Sequence, residues 1–315
     1  MAKIATVGCG LIGQGWAAVF AQAGFEVALY DAAPGVAERA LQSMQARFAD
    51  LVSYDLVAAE DVPEILRRFR TTTNLEEVLD GAVYVQENGP ENLDVKLELT
   101  RHIDALAAKD VPIGSSTSGI SASRYCEDIP GRGRCLVVHP INPPHLIPAV
   151  EIVPSPWTAP DVVDRVTDLM RHCHRETIVL SEEVDGFVVN RLQGALLEEA
   201  FRLVGRGIVS AADLDKAISH GLGLRWSFMG PMQTIHLNAP GGVADYVARY
   251  GPMYRGFGIG SDGDADWAAI AAQKLTAELE AQTPPDKITQ AQLERDKQLM
   301  ALMRHKSRHQ SDPQN

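Results

Sequence analysis

The chain has 315 residues, 45% hydrophobic and 22% charged, which is the composition of a folded globular protein with room for two domains rather than of a disordered one. Its 29 Lys and Arg against 41 Asp and Glu leave a net charge of −12. That balance argues against nucleic acid or an anionic membrane surface as the main partner, because both need basic patches. The four cysteines, Cys9, Cys126, Cys135 and Cys173, show no CxxC spacing and suggest no disulfide framework, so a reducing cytoplasm is the expected compartment. Met1-Ala2-Lys3 leads straight into a strand without a signal pattern, and no apolar run reaches the roughly 20 residues of a membrane span.

Residues 3–7 form a short β-rich run. Gly8-Cys9-Gly10-Leu11-Ile12-Gly13 follows at once, before a helical stretch with Trp16, Phe20 and Ala23 at helical spacing. GxGxxG between a strand and a helix is the context that gives this pattern meaning. Gly8 permits the tight turn, Gly10 lets the backbone approach a pyrophosphate, and Gly13 lets helix and strand pack closely. Leu11 and Ile12 open the helix, whose unpaired N–H groups and positive dipole end are offered to the phosphates. A second strand over 26–30 ends at Asp31, 18 residues after Gly13, near the spacing of the acid that binds the adenosine ribose hydroxyls. A carboxylate there repels a 2′-phosphate, and no Arg follows it directly, so the expected cofactor is NAD rather than NADP.

Residues 34–69 read as helices, over 37–51 and 58–69, the second interrupted by Pro63. The next strand, 82–86, ends in Glu87-Asn88-Gly89-Pro90-Glu91-Asn92, and a helix is expected over 93–108. Ligands of α/β sheets bind at the carboxyl ends of the strands, which puts Glu91, Asn92 and Lys96 near a cofactor edge. The plain alternative is N-capping by Asn92, with Lys96 on a solvated helix face. A short strand over 111–114 opens into Ser115-Ser116-Thr117-Ser118-Gly119-Ile120. This hydroxyl-rich loop either caps a helix over 121–125 or hydrogen-bonds a substrate alcohol.

The chemistry is expected where an apolar, β-branched run from Cys135 reaches His139 and gives way to Pro140, Pro143 and Pro144, which cannot continue a central strand. A second apolar run, 147–153, returns from that turn and carries one ionisable residue, Glu151. Glu151 either faces solvent by alternation or is buried with a partner. Beside His139 it would favour the imidazolium and set the ring tautomer, as a general base requires. A helix over 159–173 and a strand over 177–180 follow. His172-Cys173-His174 has metal-binding residue types, but adjacent positions point in different directions, and it reads as a helix end. After Asp185-Gly186 the pattern turns helical over 187–206, 210–220 and further segments between 227 and 304, with Asn190 and Arg191 in the first turns. The residues from Arg304 onward are polar and expected to fray.

Five motifs occur in order: Gly8-x-Gly10-x-x-Gly13 with Asp31, Pro90-Glu91-Asn92-Leu93-Asp94-Val95-Lys96, Ser115-Ser116-Thr117-Ser118, His139-Pro140-x-Asn142-Pro143, and Asp185-Gly186-Phe187-Val188-Val189-Asn190-Arg191. With them the chain resembles the 3-hydroxyacyl-CoA dehydrogenase family over nearly its whole length. Gln86-Glu87, His139 to Pro144, Gly221-Leu222-Gly223-Leu224-Arg225-Trp226, Gly230-Pro231 and His236-Leu237-Asn238-Ala239 look most like its lambda-crystallin and L-gulonate 3-dehydrogenase branch. The resemblance implies an α/β fold: a Rossmann-type NAD-binding domain over 1–185, then an all-helical domain over 186–315 that supplies most of a homodimer interface. It implies that His139 is the general base, paired with Glu151, and that Ser118 and Asn190 hydrogen-bond the substrate. It also implies that Glu91, Lys96, Ser118 and Asn142 line the nicotinamide and its ribose, and that the oxidised alcohol is the L form.

Two departures bear on the substrate. Many acyl-CoA members carry Gly-x-Gly-Tyr-Pro-Met-Gly-Pro where this chain has an insertion bearing Arg225, whose guanidinium suits the carboxylate of a free 3-hydroxy acid; the alternative is a surface Arg stacked on Trp226. The acyl-CoA enzymes also hold CoA phosphates with a Lys-bearing segment, whereas residues 4–95 here contain no Lys and only Arg39, Arg47, Arg67, Arg68 and Arg70. An L-3-hydroxyacyl-CoA dehydrogenase remains the alternative. Carnitine dehydrogenase, with Trp226, Phe228 and Tyr246 around a quaternary ammonium, and an inactive crystallin-like protein are further ones.

Overall fold

The apolar runs become strands β1 (Lys3–Val7), β2 (Glu26–Tyr30), β3 (Phe69–Thr72), β4 (Ala82–Glu87), β5 (Ile113–Ser115), β6 (Cys135–Pro140), β7 (Ala149–Pro154) and β8 (Glu176–Val179). Between them lie helices α1 (Leu11–Gln22), α2 (Val36–Ser53), α3 (Val62–Arg67), α4 (Leu75–Leu79), α5 (Leu93–Leu106), α6 (Ser123–Cys126) and α7 (Pro160–His172), and α8 (Val189–Gly205) follows. The computed structural model describes residues 1–259, 266–282 and 284–310. One sheet runs β3-β2-β1-β4-β5-β6-β7-β8. Its first six strands are parallel in the doubly wound order, with the reversal point between β1 and β4. Among the described strands, β6 and β7 alone pair antiparallel.

Helices cover both faces and bury two apolar clusters. One gathers Trp16 and Phe20 of α1, Phe48 of α2 and Met170 of α7; the other gathers Ile103 of α5, Tyr125 of α6 and Val137 of β6. Gly15 fixes how closely α1 meets the turn after β6, since a Cβ there would lie 2.8 Å from Pro144 Cδ.

The structure differs from the sequence reading in three places. Phe69, expected as the end of a helix, instead opens strand β3, because Val27 to Tyr30 pair with Phe69 to Thr72 along the sheet edge; Pro63 lies in the first turn of α3 rather than interrupting it, as a residue without an N–H can. Helix α8 starts two residues later than expected, because Gly186 and Phe187 take φ of 75° and 52°. The closing helix, Ile288–Gln310, continues past Arg304, which pairs with Asp55, and Met300 joins the cluster around Phe48; residues 311–315 of the expected frayed end lie outside the described residues. Contacts therefore group Met1–Asn190 with Leu293–Asn315, and Arg191–Gln292 as a second unit, which is helical in its described residues. No helix among the described residues is long and apolar enough to cross a membrane.

Candidate active site

At the reversal point Val7 lies beside Glu87, the last residue of β4. The chain then turns at Gly8, with φ of 94°, where a Cβ would lie 2.6 Å from the Asn88 carbonyl oxygen. A Cβ on Gly13 would overlap the Gly8 carbonyl oxygen, while one on Gly10 meets no atom within 4 Å. Open backbone at Gly10 therefore starts α1, with Leu11 exposed and Ile12 packed toward the core. In front of it is a cleft of about 620 Å³ that Gly8, Gly10, Asp31, Asn88, Gly89 and His102 help to line. The Asp31 carboxylate accepts the N–H groups of Cys9 and Ala33, both at 2.9 Å, which fixes it at the end of β2. A free helix N-terminus, a carboxylate at the next strand end and a cleft of this size fit NAD.

Buried polar contacts hold the neighbouring loops. Glu87 and Lys96 are each about 1% exposed and pair at 3.0 Å. Glu87 also accepts the Gly89 N–H and the Ser115 hydroxyl. Lys96 thus does not lie on a solvated face: its ammonium is enclosed by Glu87 and the Gly89 carbonyl of the β4–α5 turn. Asn92 caps α5 by accepting the Val95 N–H at 3.1 Å. Glu91 accepts the Thr117 hydroxyl at 2.6 Å and the N–H groups of Ser118 and Gly119 at 3.1 and 3.0 Å, and so clamps the hydroxyl-rich loop. Ser116 accepts from Trp16 Nε1 at 3.0 Å and donates to Asn88.

The antiparallel register sets His139 directly opposite Glu151, so their side chains share one face of the sheet. Their Nδ1 and Oε2 are 2.7 Å apart, and Glu151 is fully buried in an interior strand that also pairs with β8. The second Glu151 oxygen accepts the N–H groups of Val188 and Val189, at 2.7 and 3.0 Å, at the start of α8. Burial pushes this carboxyl up, but the hydrogen bonds from His139, Val189 and Val188 outweigh it and hold it below its ordinary range. An ionised carboxylate only accepts, so His139 Nδ1 carries the proton and Nε2 is left as the basic nitrogen. Nε2 has no hydrogen-bond partner among the described residues.

Sequence reasoning missed Phe187. Its buried ring packs 5.4 Å from the His139 ring, and its left-handed backbone, strained by about 1–3 kcal/mol, turns α8 so that two N–H groups reach Glu151. The adjacent Gly186 was the available signal. Asn190, half-buried, donates Nδ2–H to the Ser118 carbonyl at 2.7 Å, while the exposed Ser118 keeps its hydroxyl without a partner among the described residues. Asn142 is exposed in the turn after β6. Ser118, His139, Glu151 and Asn190 therefore lie in the same unit.

The 3-hydroxyacyl-CoA dehydrogenase NAD-binding domain model matches residues 3–184, and the model of that family's C-terminal domain matches 186–258. This chain belongs to the 3-hydroxyacyl-CoA dehydrogenase family. It is an NAD-dependent oxidoreductase with the family's Rossmann-type domain and helical C-terminal domain. Lambda-crystallin of Oryctolagus cuniculus is 42% identical over 78% of this chain and 76% of its own length. L-carnitine dehydrogenase of Streptomyces griseus subsp. griseus is 39% identical over 79% of this chain and 74% of its own. Among solved structures, the NAD+-dependent dismutase 5-formyl-3-hydroxy-2-methylpyridine 4-carboxylic acid 5-dehydrogenase superposes with a TM-score of 0.78. It is 30% identical, over 96% of this chain and 98% of its own. In the second unit of this family member, Arg225 lies on a short helix, Gly223–Trp226, close enough to Tyr246 to act on it electrostatically. Tyr246 packs 4.8 Å from Tyr250 and shares a hydroxyl hydrogen bond of 2.9 Å with Tyr254.

Proposed function

We propose that the protein oxidises the 3-hydroxyl of a free L-3-hydroxy acid, L-gulonate or a close analogue, to the 3-oxo acid. The observation that carries this reading is the buried 2.7 Å contact between His139 and Glu151, with Nε2 open. His139 Nε2 takes the hydroxyl proton, and Glu151 stabilises the imidazolium that forms. Such general-base catalysis contributes roughly 10²- to 10⁴-fold. NAD, held at the Gly10 turn and by Asp31, would supply the acceptor for the hydride that leaves C3. The Ser118 hydroxyl and the Asn190 amide orient the substrate alcohol, and Glu91 keeps their loop in place. Each turnover releases a proton, so higher pH favours the 3-oxo product.

Arginine usage supports a free acid over a CoA thioester. Arg47 donates toward His145 at 3.0 Å, Arg67 pairs with Glu64, and Arg68 and Arg70 donate to backbone carbonyls. Three of the five cations between residues 4 and 95, Arg47, Arg68 and Arg70, are thus engaged within the protein, while the exposed Arg67–Glu64 pair at 3.4 Å is worth little. Arg225 is the candidate carboxylate ligand. The tyrosine group near it favours carnitine as the second reading, since aromatic faces attract quaternary ammonium. Exposed Leu192, Leu224, Met232 and Leu237 on the second unit support its use as a homodimer face.

The test follows NADH formation with L-gulonate, L-3-hydroxybutyrate, L-carnitine and L-3-hydroxybutyryl-CoA. Higher kcat/KM for the uncharged-tail acids is expected. A preference for carnitine selects the second reading, and a preference for the thioester overturns both.

A further inference from the structure

One concave region lies apart from the cofactor cleft and from His139. It has a volume of about 700 Å³. Arg171, His174 and Arg175 at the end of α7 and Glu176 of β8 line one side, and Met303 and Lys306 of the closing helix the other. Ligand pockets for small molecules measure ~300–1,000 Å³. Among the described residues, three cations and a histidine therefore face a single carboxylate, in a chain of net charge −12.

Their donors are open. Arg175 gives Nε to the Cys173 carbonyl at 3.0 Å and Nη1 to the Pro144 carbonyl at 2.9 Å, and its Nη2 has no partner among the described residues. Burial draws this guanidinium below its ordinary value, so it is a partly desolvated cation. Arg171 meets Asp168 only at 3.5 Å, with both side chains largely exposed, a contact of little worth. No acceptor within the described residues takes the Lys306 ammonium. Cations at the end of α7 suit the helix dipole, but Lys306 comes from a different element and points to another cause.

We propose that this cleft binds the phosphate group of a small phosphorylated organic molecule. Arg171 offers paired N–H donors to phosphate oxygens, Arg175 adds its free Nη2, and Lys306 adds a point charge. Glu176 accepts from a hydroxyl on the same molecule, and Met303 covers its carbon skeleton. The bound group sits on the arginine that holds the Pro144 carbonyl, in the turn that follows His139.

Isothermal titration of the full chain tests this, with NAD at saturation so that the N-terminus of α1 does not compete. The probes are glycerol 3-phosphate and inorganic phosphate at constant ionic strength. Saturable binding is expected, tighter for glycerol 3-phosphate, and weakened about tenfold or more in the double variant R171A/K306A, which keeps the parent's turnover and circular dichroism. No saturable heat, or unchanged affinity in the double variant, would overturn the proposal. Equal affinity for inorganic phosphate would overturn its organic part and assign the cleft to free phosphate.

Discussion

Glu151→Gln separates the charge of the buried carboxylate from its shape. Glu151 accepts three hydrogen bonds, from His139 Nδ1 at 2.7 Å and from the N–H groups of Val188 and Val189 at 2.7 and 3.0 Å. A glutamine offers one acceptor oxygen and one NH₂. If the oxygen serves Val188 and Val189, the NH₂ faces His139 and forces Nδ1 to accept. The ring proton then moves to Nε2, where the substrate proton must go. The reverse orientation sets an NH₂ against two N–H donors in a fully buried position and costs about 1–3 kcal/mol for each group left unpaired, so the first arrangement prevails. A catalytic histidine in the wrong tautomer loses about 10⁴ in kcat in the serine-protease triad, and a lost general base costs ~10²–10⁴. E151Q should therefore lose about 10²- to 10⁴-fold in kcat while its KM for NAD holds, because the Asp31 cleft is untouched. The assay is steady-state NADH formation with varied NAD, alongside circular dichroism to confirm folding. A kcat within about threefold of the parent would refute the reasoning, since a charge-assisted hydrogen bond alone is worth ~1.5–3 kcal/mol.

The same carboxyl, held below its ordinary 4.5, contributes stability that is complete above that value and lost as pH falls through the lowered folded-state value; E151Q should flatten this part of the acid-unfolding curve, and an identical curve counts against the pairing. His145 is pulled down to about 3 by burial and by Arg47 and Arg175. Its stabilisation is therefore full above about 6.5 and declines by up to ~1.4 kcal/mol per pH unit below that. H145Q should remove that slope in urea melts at stepped pH, and an unchanged slope would contradict the burial argument. G10A, whose Cβ meets no protein atom, should fold normally but raise the KM for NAD. G13A, which overlaps the Gly8 carbonyl, should lose about 1–3 kcal/mol of stability as well; equal melting temperatures for the two variants would sink this contrast. R225A should raise the KM for a free 3-hydroxy acid about tenfold, since it removes a guanidinium–carboxylate pair, and an unchanged KM would remove Arg225 from the substrate site.

Much of the fold is legible along the chain because its signals are local. The strand, Gly8-Cys9-Gly10-Leu11-Ile12-Gly13 and the following helix lie within one short segment, and Asp31 at the end of the next strand completes it. His139 and Glu151 are readable as a pair for a similar reason: they sit twelve residues apart on two strands joined by one turn. Strand β3 is hidden because Phe69-Arg70-Thr71-Thr72 is short and adjoins a helical pattern; only pairing with β2 makes it a strand.

The sequence by itself determined the cofactor-binding turn, the run of parallel strands and Glu151 as the candidate partner of His139. Tertiary structure alone decided their environments. It enclosed Lys96 against Glu87, turned Phe187 into a left-handed conformation that brings two N–H groups to Glu151, and returned Met300 to the core of the first unit. Each of these depends on contacts between distant segments, and burial and hydrogen bonding of that kind outweigh the local preference that a single stretch of sequence expresses.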